Sequence, residues 1–448
     1  MKNILILGAG KSATVLIDYL LEQAAILDFT VTLGDLDAEL AAQKINGNSR
    51  GKGVYFNSQD DSIREKCITE ADIVVSLLPA FLHPVVAKDC VRLKKHFVSA
   101  SYVGDEMRAL HEAAVEAGII LLNEIGLDPG IDHMSAMQLI DEVKAKGGVI
   151  SCFESYTGGL IAPESDNNPW NYKFTWNPRN VVLAGQGTAK FLQDNTYKYI
   201  PYHQLYSRYD ILAIPNYGEF EGYPNRDSLA YRKIYGLENT ATIVRGTLRK
   251  RGFCDAWNVF VQLGMTDDTY TMENAHVFTW KMFTQAFLPG NATDVRQALA
   301  DYLGITDTVI LDKLNWLGLF DETPVFENPD PTKLYSPAQI LQHLLEQKWS
   351  LAAGDKDMCV MMHVMDYTLD NVTRRIYSSM VATGKDEVYT AMAKTVGLPA
   401  AIATKMILNG AIKKTGVVIP VTPDIYNPVL KELADKYAIQ FVESTITL

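Results

Sequence analysis

The chain has 448 residues, a length that predicts about two or three domains rather than one. Its hydrophobic content of 48% and charged content of 21% are ordinary for a soluble globular protein. The formal net charge of −12 argues against a nucleic-acid groove and against binding to an anionic membrane surface.

The five cysteines are odd in number and widely spaced, so they indicate neither a disulfide framework nor a CxxC metal site. The sequence begins with a strand-like segment where a signal peptide would stand, and no apolar run reaches the length of a membrane span. We therefore expect a cytoplasmic protein with reduced thiols and no metal, and neither nucleic acid nor membrane as a partner.

The first predicted element is an apolar strand, Ile4–Leu7, which leads directly into Gly8-Ala9-Gly10-Lys11-Ser12-Ala13. This Gly-x-Gly-x-x-Ala pattern is typical of a dinucleotide-binding turn. Gly8 permits the sharp bend, Gly10 lets the backbone approach a pyrophosphate, and Ala13 keeps the next helix close to the sheet. The alternative is a tight strand-to-helix turn that binds no ligand.

A second predicted strand, Thr30–Leu33, ends in Gly34-Asp35. Asp35 lies about 20 residues past the glycines, where an acid holds a ribose hydroxyl. Strands and helices alternate up to residue 130, which predicts a parallel, doubly wound Rossmann sheet with its ligand at the carboxyl ends of the strands. The other predicted elements here are helices at about 12–23, 38–44, 62–69, 84–93 and 105–117, and strands at about 54–56, 73–78, 96–100 and 118–122.

The pattern changes near residue 131. A helix (134–146), a strand exposed on one face (149–156), a turn-rich and aromatic-rich stretch (158–176) and another strand (242–250) are predicted. Residues 292–349 are predicted to be helical, and Ser336-Pro337 with Gln339 has the spacing of a capping box at a helix start. Strands at 358–364 and 375–381 and a helix at 387–408 follow, and 416–448 is predicted to return to the first domain.

Several turns carry groups that could hold an amino-acid-like ligand. Ser101 and Tyr102 follow a strand of the predicted sheet, Asp128 lies in a turn, and Asp132-His133 marks a helix start. Asp132 is equally well explained as a helix cap, and a histidine such as His133 is more often structural.

Three arginines are candidate carboxylate ligands: Arg226, in a turn, and Arg245 and Arg249, four residues apart on a predicted strand. The paired donors of a guanidinium match both oxygens of a carboxylate. Exposed arginines on a sheet are also commonplace, so the residue type alone leaves both interpretations open.

The chain resembles saccharopine dehydrogenases of the glutamate-forming kind, also called saccharopine reductases. The most specific matching motifs are the long segments 123–133 (NEIGLDPGIDH) and 223–228 (YPNRDS). The other matching stretches are 75–79 (VSLLP), 99–102 (SASY), 155–159 (SYTGG), 162–164 (APE), 168–169 (NP), 172–176 (YKFTW), 243–249 (IVRGTLR), 415–417 (TGV) and 426–433 (YNPVLKEL).

The resemblance implies an α/β architecture of three domains and a homodimer. These are a Rossmann domain completed by the C-terminus (1–131 and 386–448), a mixed α/β domain for substrate binding and dimerisation (132–290 and 350–385), and a small helical domain (291–349). The implied activity is the NAD(P)-dependent, reversible oxidation of saccharopine to glutamate and 2-aminoadipate 6-semialdehyde, in which the cofactor supplies the redox chemistry.

The same resemblance assigns residues to ligands. Asp128 and Tyr102 are candidate catalytic groups, and His133 or bound water are open alternatives for moving protons. Substrate contacts are implied at Ser101, Tyr102, Asp128, Arg226, Thr247, Leu248 and Arg249. Together with the glycine-rich turn and the strand ends, cofactor contacts are predicted at Gly8, Gly10, Lys11, Ser12, Ala13, Asp35, Leu36, Phe56, Asn57, Leu77, Leu78, Pro79, Ser99, Leu127, Asp128 and Trp176.

Two departures from the family pattern bear on chemistry. Thr157 stands where these proteins commonly have cysteine, and Ile161 replaces a proline, so a thiol cannot be an essential base here. Fungal-type NADP enzymes resemble one another in having an arginine after the second strand, whereas this chain has Gly34-Asp-Leu-Asp37. A carboxylate there accepts ribose hydroxyls and repels a 2′-phosphate, so we predict NAD, with NADP as the alternative.

Two other functions compete with this one. A carboxynorspermidine dehydrogenase or homospermidine synthase would act on a polyamine, whose pocket needs more acids and fewer arginines. A nucleotide-sensing protein would bind NAD without turnover, keeping the glycine-rich turn but losing the polar residues around it.

Overall fold

The computed structural model describes residues 1–184 and 186–448, which divide into two compact units. The first unit comprises 1–150, 356–359 and 367–448, and the second comprises 151–355 and 360–366. The predicted three-domain boundaries are a finer division, and they stay a prediction.

The strands and helices of the described residues follow one another in a mixed order. The strands are β1 (Lys2–Leu7), β2 (Phe29–Asp35), β3 (Gly51–Tyr55), β4 (Ile73–Ser76), β5 (His96–Ser99), β6 (Ile120–Leu122), β7 (Val149–Ile161), β8 (Ala189–Gln193), β9 (Thr196–Ile200), β10 (Asp210–Ile214), β11 (Gly218–Pro224), β12 (Thr242–Lys250), β13 (Asp357–Leu369), β14 (Val372–Thr383), β15 (Gly416–Val418) and β16 (Val442–Thr447). The α-helices are α1 (Thr14–Leu27), α2 (Ala38–Ile45), α3 (Asp61–Thr69), α4 (His83–Arg92), α5 (Asp105–Arg108), α6 (His111–Ala117), α7 (Ile131–Ala145), α8 (Pro178–Val182), α9 (Tyr202–Leu205), α10 (Phe253–Leu263), α11 (Trp280–Gln285), α12 (Val295–Leu303), α13 (Thr308–Leu317), α14 (Pro337–Trp349), α15 (Ala391–Leu408) and α16 (Pro423–Tyr437).

The first unit is built on a parallel sheet with the strand order β15-β6-β5-β4-β1-β2-β3. The chain winds outward from β1 through β2 to β3, then crosses to β4 and winds the other way. The direction therefore reverses between β1 and β4, and ligands of such sheets bind beyond the carboxyl ends of strands at this reversal. All of β4 and the last four residues of β1 are buried, as expected for a sheet covered on both faces.

The C-terminal part of the chain completes this sheet, as predicted. Val417 of β15 pairs in parallel register with Leu121 of β6, so β15 forms one edge. The doubly wound fold class inferred from the sequence is confirmed. By contrast β16, from the same C-terminal stretch, pairs antiparallel with β14 and does not join the parallel sheet.

Helix α15 differs from expectation because it is long and apolar enough to cross a membrane, although no apolar run of that length was predicted. Most of it is buried in the first unit, as in the core helix of a globular protein. A Cβ atom on Gly397 would lie 3.1 Å from the Leu16 side chain of α1, which shows how closely the two helices pack.

The second unit contains a mixed sheet and an aromatic core. β7 and β12 run parallel, and β10, β11 and β12 follow one another antiparallel. The indole rings of Trp170, Trp257 and Trp349 are fully buried among other rings. The capping box at α14 is present as predicted, because the Ser336 hydroxyl accepts the Gln339 N–H while the Gln339 side chain accepts the Ser336 N–H.

Candidate functional site

The glycine-rich turn has the geometry of a phosphate-binding loop. Gly8 has φ +102°, and a Cβ atom there would lie 3.2 Å from the Leu77 carbonyl oxygen, so the turn lies close to the end of β4. Around Gly10, a Cβ atom would meet nothing within 4 Å. The backbone N–H groups of Gly10, Lys11 and Ser12 donate to no acceptor within residues 1–184 and 186–448. Unpaired amides at the start of a helix fit the pyrophosphate of a dinucleotide.

Asp35 lies beside this turn. Its carboxylate accepts the N–H of Ala9 at 2.7 Å and the N–H of Asp37 at 3.0 Å, which fixes its position at the carboxyl end of β2. Asp37 caps α2 by accepting the N–H groups of Glu39 and Leu40. Two carboxylates therefore stand where the adenosine ribose of a Rossmann-bound dinucleotide lies.

The other predicted cofactor residues fall into two groups. Those of the first unit lie at or just after the carboxyl ends of β2, β3, β4, β5 and β6, although Phe56 and Leu127 are core side chains with almost no exposure. Trp176 belongs to the second unit. The structure therefore brings the predicted residues of the first unit to one edge of the parallel sheet.

The loop after β6 places Asp128 beside Tyr102. The Tyr102 hydroxyl donates to the Asp128 carboxylate at 2.7 Å, which joins the two candidate catalytic groups. Gly130, at φ 150°, is required for this turn, because a Cβ atom there would lie 2.0 Å from the Gly126 carbonyl oxygen. The Glu124 carboxylate accepts the Val103 N–H at 2.9 Å, which holds the segment next to Tyr102.

His133 and Asp132 have structural positions. Both are buried at the start of α7, where the Asp132 carboxylate accepts the Gly130 N–H at 2.6 Å. The His133 ring lies 2.9 Å from the Glu124 carboxylate. The N-cap of α7 is Gly130, so Asp132 is not the helix cap that was one alternative for it but lies in the first turn. The buried contact of His133 with Glu124 is consistent with the structural role raised from the sequence.

His83 is a functional candidate that the sequence analysis missed. It is buried at the start of α4, with Nδ1 2.9 Å from the Ser76 hydroxyl and Nε2 2.8 Å from the Ser101 hydroxyl. Burial lowers the pKa of His83 to about 4, so the ring is neutral near pH 7. A histidine just before the helix-starting Pro84 was the available signal.

In the second unit, Arg249 occupies an aromatic pocket. Its side chain is 5% exposed, and the guanidinium carbon lies 5.2 Å from the ring centroids of both Tyr172 and Phe253. The guanidinium makes one long hydrogen bond, 3.3 Å to the Leu248 carbonyl oxygen, and its Nε atom has no partner among the described residues.

The acid nearest in register, Glu221, forms no ion pair with Arg249. Glu221 lies directly opposite Arg249 in the β11–β12 pair, but its carboxylate accepts the N–H groups of Gly252 and Cys254 at the start of α10. Burial disfavours a charged guanidinium, yet the hydroxyls of Tyr223 and neighbouring tyrosines hold the pKa of Arg249 above its ordinary value. A buried cation that has no ion-pair partner among the described residues is a candidate position for binding an anion.

The remaining substrate candidates lie around β12. Thr247 shares a face with Arg249, stands opposite Thr157 of β7, and its hydroxyl accepts from the Asn225 side chain at 3.1 Å. Leu248 points to the opposite face. Arg226 is exposed at φ +53°, in contrast to Arg249.

Arg245 has a different environment from Arg249, four residues further along the strand. It is buried, and its guanidinium lies over the Tyr231 ring at 4.4 Å. Residues four apart on a strand share a face, yet these two arginines of β12 occupy separate surroundings.

Comparison with known proteins identifies the family of this chain. Residues 4–122 match the model of the saccharopine dehydrogenase NADP binding domain, and residues 126–439 match the model of the saccharopine dehydrogenase C-terminal domain. A solved structure of apo saccharopine dehydrogenase (L-Glu forming) from Saccharomyces cerevisiae superposes with a TM-score of 0.88 at 34% identity, with all of both chains covered.

Curated relatives give the same result. Saccharopine dehydrogenase [NADP(+), L-glutamate-forming] from Saccharomyces cerevisiae is 36% identical over 99% of each chain, and the protein of that name from Schizosaccharomyces pombe is 34% identical over 100% of this chain and 99% of its own. The mitochondrial alpha-aminoadipic semialdehyde synthase of Bos taurus is 34% identical over all of this chain but 48% of its own length. The resemblance inferred from motifs is thus confirmed, and the chain belongs to the saccharopine dehydrogenase family of nicotinamide-dependent oxidoreductases.

Proposed function

We propose that this protein oxidises saccharopine to glutamate and 2-aminoadipate 6-semialdehyde. The observation that carries the proposal is Arg249, a buried guanidinium that forms no ion pair within residues 1–184 and 186–448 and whose Nε has no hydrogen-bond partner there. Saccharopine has three carboxylates, one of which would supply the missing charge and accept paired hydrogen bonds. The polyamine alternative is disfavoured, because a cationic substrate would add like charge beside Arg249.

The residues of the first unit supply the other functions of this reaction. The unpaired amides of the glycine-rich turn would hold the cofactor pyrophosphate, and Ser101 would contact substrate, as the family resemblance implies. The nicotinamide, when bound, accepts the hydride lost as the secondary amine of saccharopine becomes an imine. Tyr102 and Asp128 share a hydrogen bond, so this pair can exchange protons with the amine and with the water that splits the imine.

The dinucleotide preference is a separate part of the proposal. The fungal relatives are named for NADP(+), as is the matching domain model, and this differs from the preference for NAD inferred from the sequence. We nevertheless propose NAD for this chain, because the carboxylates of Asp35 and Asp37 stand at the end of β2 and would repel a 2′-phosphate. We also propose a homodimer, which light scattering would test.

The substrate proposal is tested by measuring NADH formation with saccharopine in wild type, Arg249→Met and Arg251→Met. We expect Arg249→Met to weaken saccharopine binding by roughly thirtyfold or more, as truncating one partner of a buried charge pair costs about 2–5 kcal/mol. Arg251 is the control because its side chain is exposed and pairs with Glu219. NADH affinity should change in neither variant. Absence of turnover in wild type, or equal effects of the two substitutions, would overturn the proposal.

Folding of Arg249→Met is checked by its melting temperature without ligand. Because the guanidinium is buried and unneutralised, we expect the variant to melt within a few degrees of wild type or above it. A variant that binds poorly yet melts normally has lost a ligand contact rather than its fold.

The dinucleotide proposal is tested by the ratio of kcat/KM for NAD to that for NADP in wild type and Asp35→Asn. We expect wild type to have a higher kcat/KM with NAD than with NADP. Asp35→Asn should lower the ratio of the two values by about tenfold, the effect of removing about 1.4 kcal/mol of charge repulsion. Asp307→Asn removes a carboxylate from the start of α13 in the second unit, and it serves as the control for the loss of one negative charge. A wild type that prefers NADP would refute the NAD assignment while leaving the substrate proposal intact.

A further inference from the structure

Three hydroxyl-bearing serines line the carboxyl edge of the parallel sheet in the first unit. Ser76 ends β4, Ser99 ends β5 in register with it, and Ser101 follows two residues later. Ser76 and Ser99 are almost fully buried, whereas Ser101 is half-buried and is therefore the member able to meet a ligand.

Ser101 is held from two sides. Its backbone N–H donates to the Ser99 hydroxyl at 3.3 Å, and that hydroxyl in turn donates to the Asn123 side chain. Its own hydroxyl lies 2.8 Å from Nε2 of His83. The backbone and the side chain of Ser101 are thus fixed by separate partners.

His83 is itself firmly placed. Nδ1 lies 2.9 Å from the Ser76 hydroxyl, and the ring packs edge-on against Phe97 with 6.1 Å between ring centroids. A neutral imidazole has one donor and one acceptor nitrogen, and hydroxyls can satisfy either tautomer. In both tautomers the Ser101 hydroxyl uses one hydrogen-bonding direction for the ring and keeps another for a ligand.

We propose that His83 is a positioning residue: bound to Ser76 through Nδ1, it uses Nε2 to hold the Ser101 hydroxyl in the orientation that contacts saccharopine. This inference rests on the proposed function for the identity of the ligand. It assigns His83 no direct contact with substrate, so His83 acts only through Ser101.

Two substitutions distinguish the contacts that the two ring nitrogens of His83 make. The amide of His83→Asn can replace Nδ1 and keep the Ser76 contact, whereas that of the longer His83→Gln can replace Nε2 and keep the Ser101 contact. We expect His83→Asn to raise KM for saccharopine about five- to tenfold, the effect of one lost hydrogen bond, and to change kcat little. The Gln variant should stay within about twofold of wild type. Both variants remove the ring that packs against Phe97, so a role in ring packing alone would affect both variants.

A double-mutant cycle tests whether His83 acts through Ser101. In the Ser101→Ala background, His83→Asn should change KM by less than about twofold, since the contact it removes is already absent. NADH affinity, measured by fluorescence, should stay constant throughout. Equal effects of Asn and Gln, or a full effect of Asn in the Ser101→Ala background, would overturn the inference.

A spectroscopic measurement keeps this test independent of the proposed function. In protein labelled with 15N-histidine, Ser101→Ala should shift the Nε2 signal of His83 in the absence of any substrate, and Ser76→Ala should shift Nδ1. If wild type does not oxidise saccharopine but these shifts occur, the proposed substrate is wrong and the His83–Ser101 coupling stands. If Ser101→Ala leaves the His83 signals unchanged, the positioning role is wrong whatever the substrate.

Discussion

Arg249 illustrates how a single residue can be costly to the fold and useful to function. A buried guanidinium loses its hydration, and no carboxylate of the described residues forms an ion pair with Arg249 to restore the lost energy. The faces of Tyr172 and Phe253 compensate in part through cation–π attraction. A carboxylate-bearing ligand would offset the rest of the desolvation cost, so the ion pair that the folded protein lacks would form on binding and would favour it.

Thr157 is the residue whose replacement should matter less than family patterns suggest. Its hydroxyl stands opposite Thr247 on the face that bears Arg249, but a threonine hydroxyl is a very poor base near neutral pH. We expect Thr157→Ala to lower kcat by about tenfold at most, the cost of one neutral hydrogen bond. A fall of about a hundredfold at unchanged substrate affinity, the size of a general-base effect, would instead place the hydroxyl in proton transfer.

His83 should make the protein sensitive to acid. Its pKa is about 4 in the folded state and about 6.5 when exposed, so between these values the unfolded chain takes up a proton that the folded chain does not. The contribution of His83 to the free energy of unfolding is therefore fully present above pH 6.5. It falls as the pH approaches 4, by at most about 3 kcal/mol. Urea unfolding at pH 7 and pH 4.5 should show a larger acid loss in wild type than in His83→Gln. Equal losses would contradict the assignment.

The candidate site could be predicted from sequence only in part. Motifs pointed to Arg249 and to the Tyr102–Asp128 pair, but not to the burial of Arg249, because Tyr172 and Phe253 come from distant segments. His83 escaped notice for the same reason. Its partner Ser101 lies 18 residues away and approaches only because β4 and β5 pair in parallel.

Among the elements, the loop between β6 and α7 is restricted by a close contact within its own backbone. Gly126 and Gly130 approach so closely that a Cβ atom at Gly130 would overlap the backbone of Gly126. The loop therefore has no space for a side chain at Gly130. This contact fixes the turn that carries Asp128, and the N–H of Ile131 bonds back to the Gly126 carbonyl oxygen at 2.8 Å. The motif at residues 123–133 therefore reflects the backbone geometry of this loop as well as its chemistry.

Gly130→Ala should destabilise this element far more than Gly147→Ala. Both glycines have positive φ, but a Cβ atom at Gly147 would meet nothing within 4 Å. We expect about 1 kcal/mol of destabilisation at Gly147 from backbone strain alone, and at least about 3 kcal/mol at Gly130 from strain and overlap together. Thermal unfolding of the two variants measures the difference, and similar melting temperatures would show that the loop can relax.

The predicted helices and strands agree best with the structure where the local sequence pattern was strong. The bounds of β12 were correct, and the capping box located α14. The helix predicted over 105–117 is instead two helices, α5 and α6, and the His111 ring at the start of α6 accepts the Val417 N–H of β15. Such a long-range contact has no local signal. The short strands β8 to β11 were missed because turns and exposed residues interrupt their alternation.

At the scale of the whole molecule, the chain is an insertion architecture in which the first unit encloses the second along the sequence. Helix α16 anchors the returning segment, since Ile425, Val429 and Leu433 are fully buried and Glu432 pairs with Lys405 of α15 at 2.7 Å. The first unit therefore depends on residues far apart in sequence.

Deleting residues 416–448 should consequently abolish cofactor binding, whereas deleting only 442–448 should not. The longer deletion removes β15 and α16, and each buried aliphatic side chain of α16 contributes about 1.5–3 kcal/mol. The shorter deletion removes only β16, whose six residues are exposed. NADH fluorescence and the melting temperature distinguish the two proteins. Retained NADH binding by the longer deletion would mean that the first unit folds without its edge strand.

The late position of β15 in the sequence also determines when the parallel sheet can be completed during translation. The second unit is complete once residue 366 has left the ribosome, but β6 has no neighbour on its outer side until Gly416–Val418 emerge. At typical translation rates that delay is roughly 3 to 10 s. During this interval the nascent chain carries a finished inserted unit and an open sheet edge, so chaperone capture and misassembly during translation should concentrate on the β6 edge.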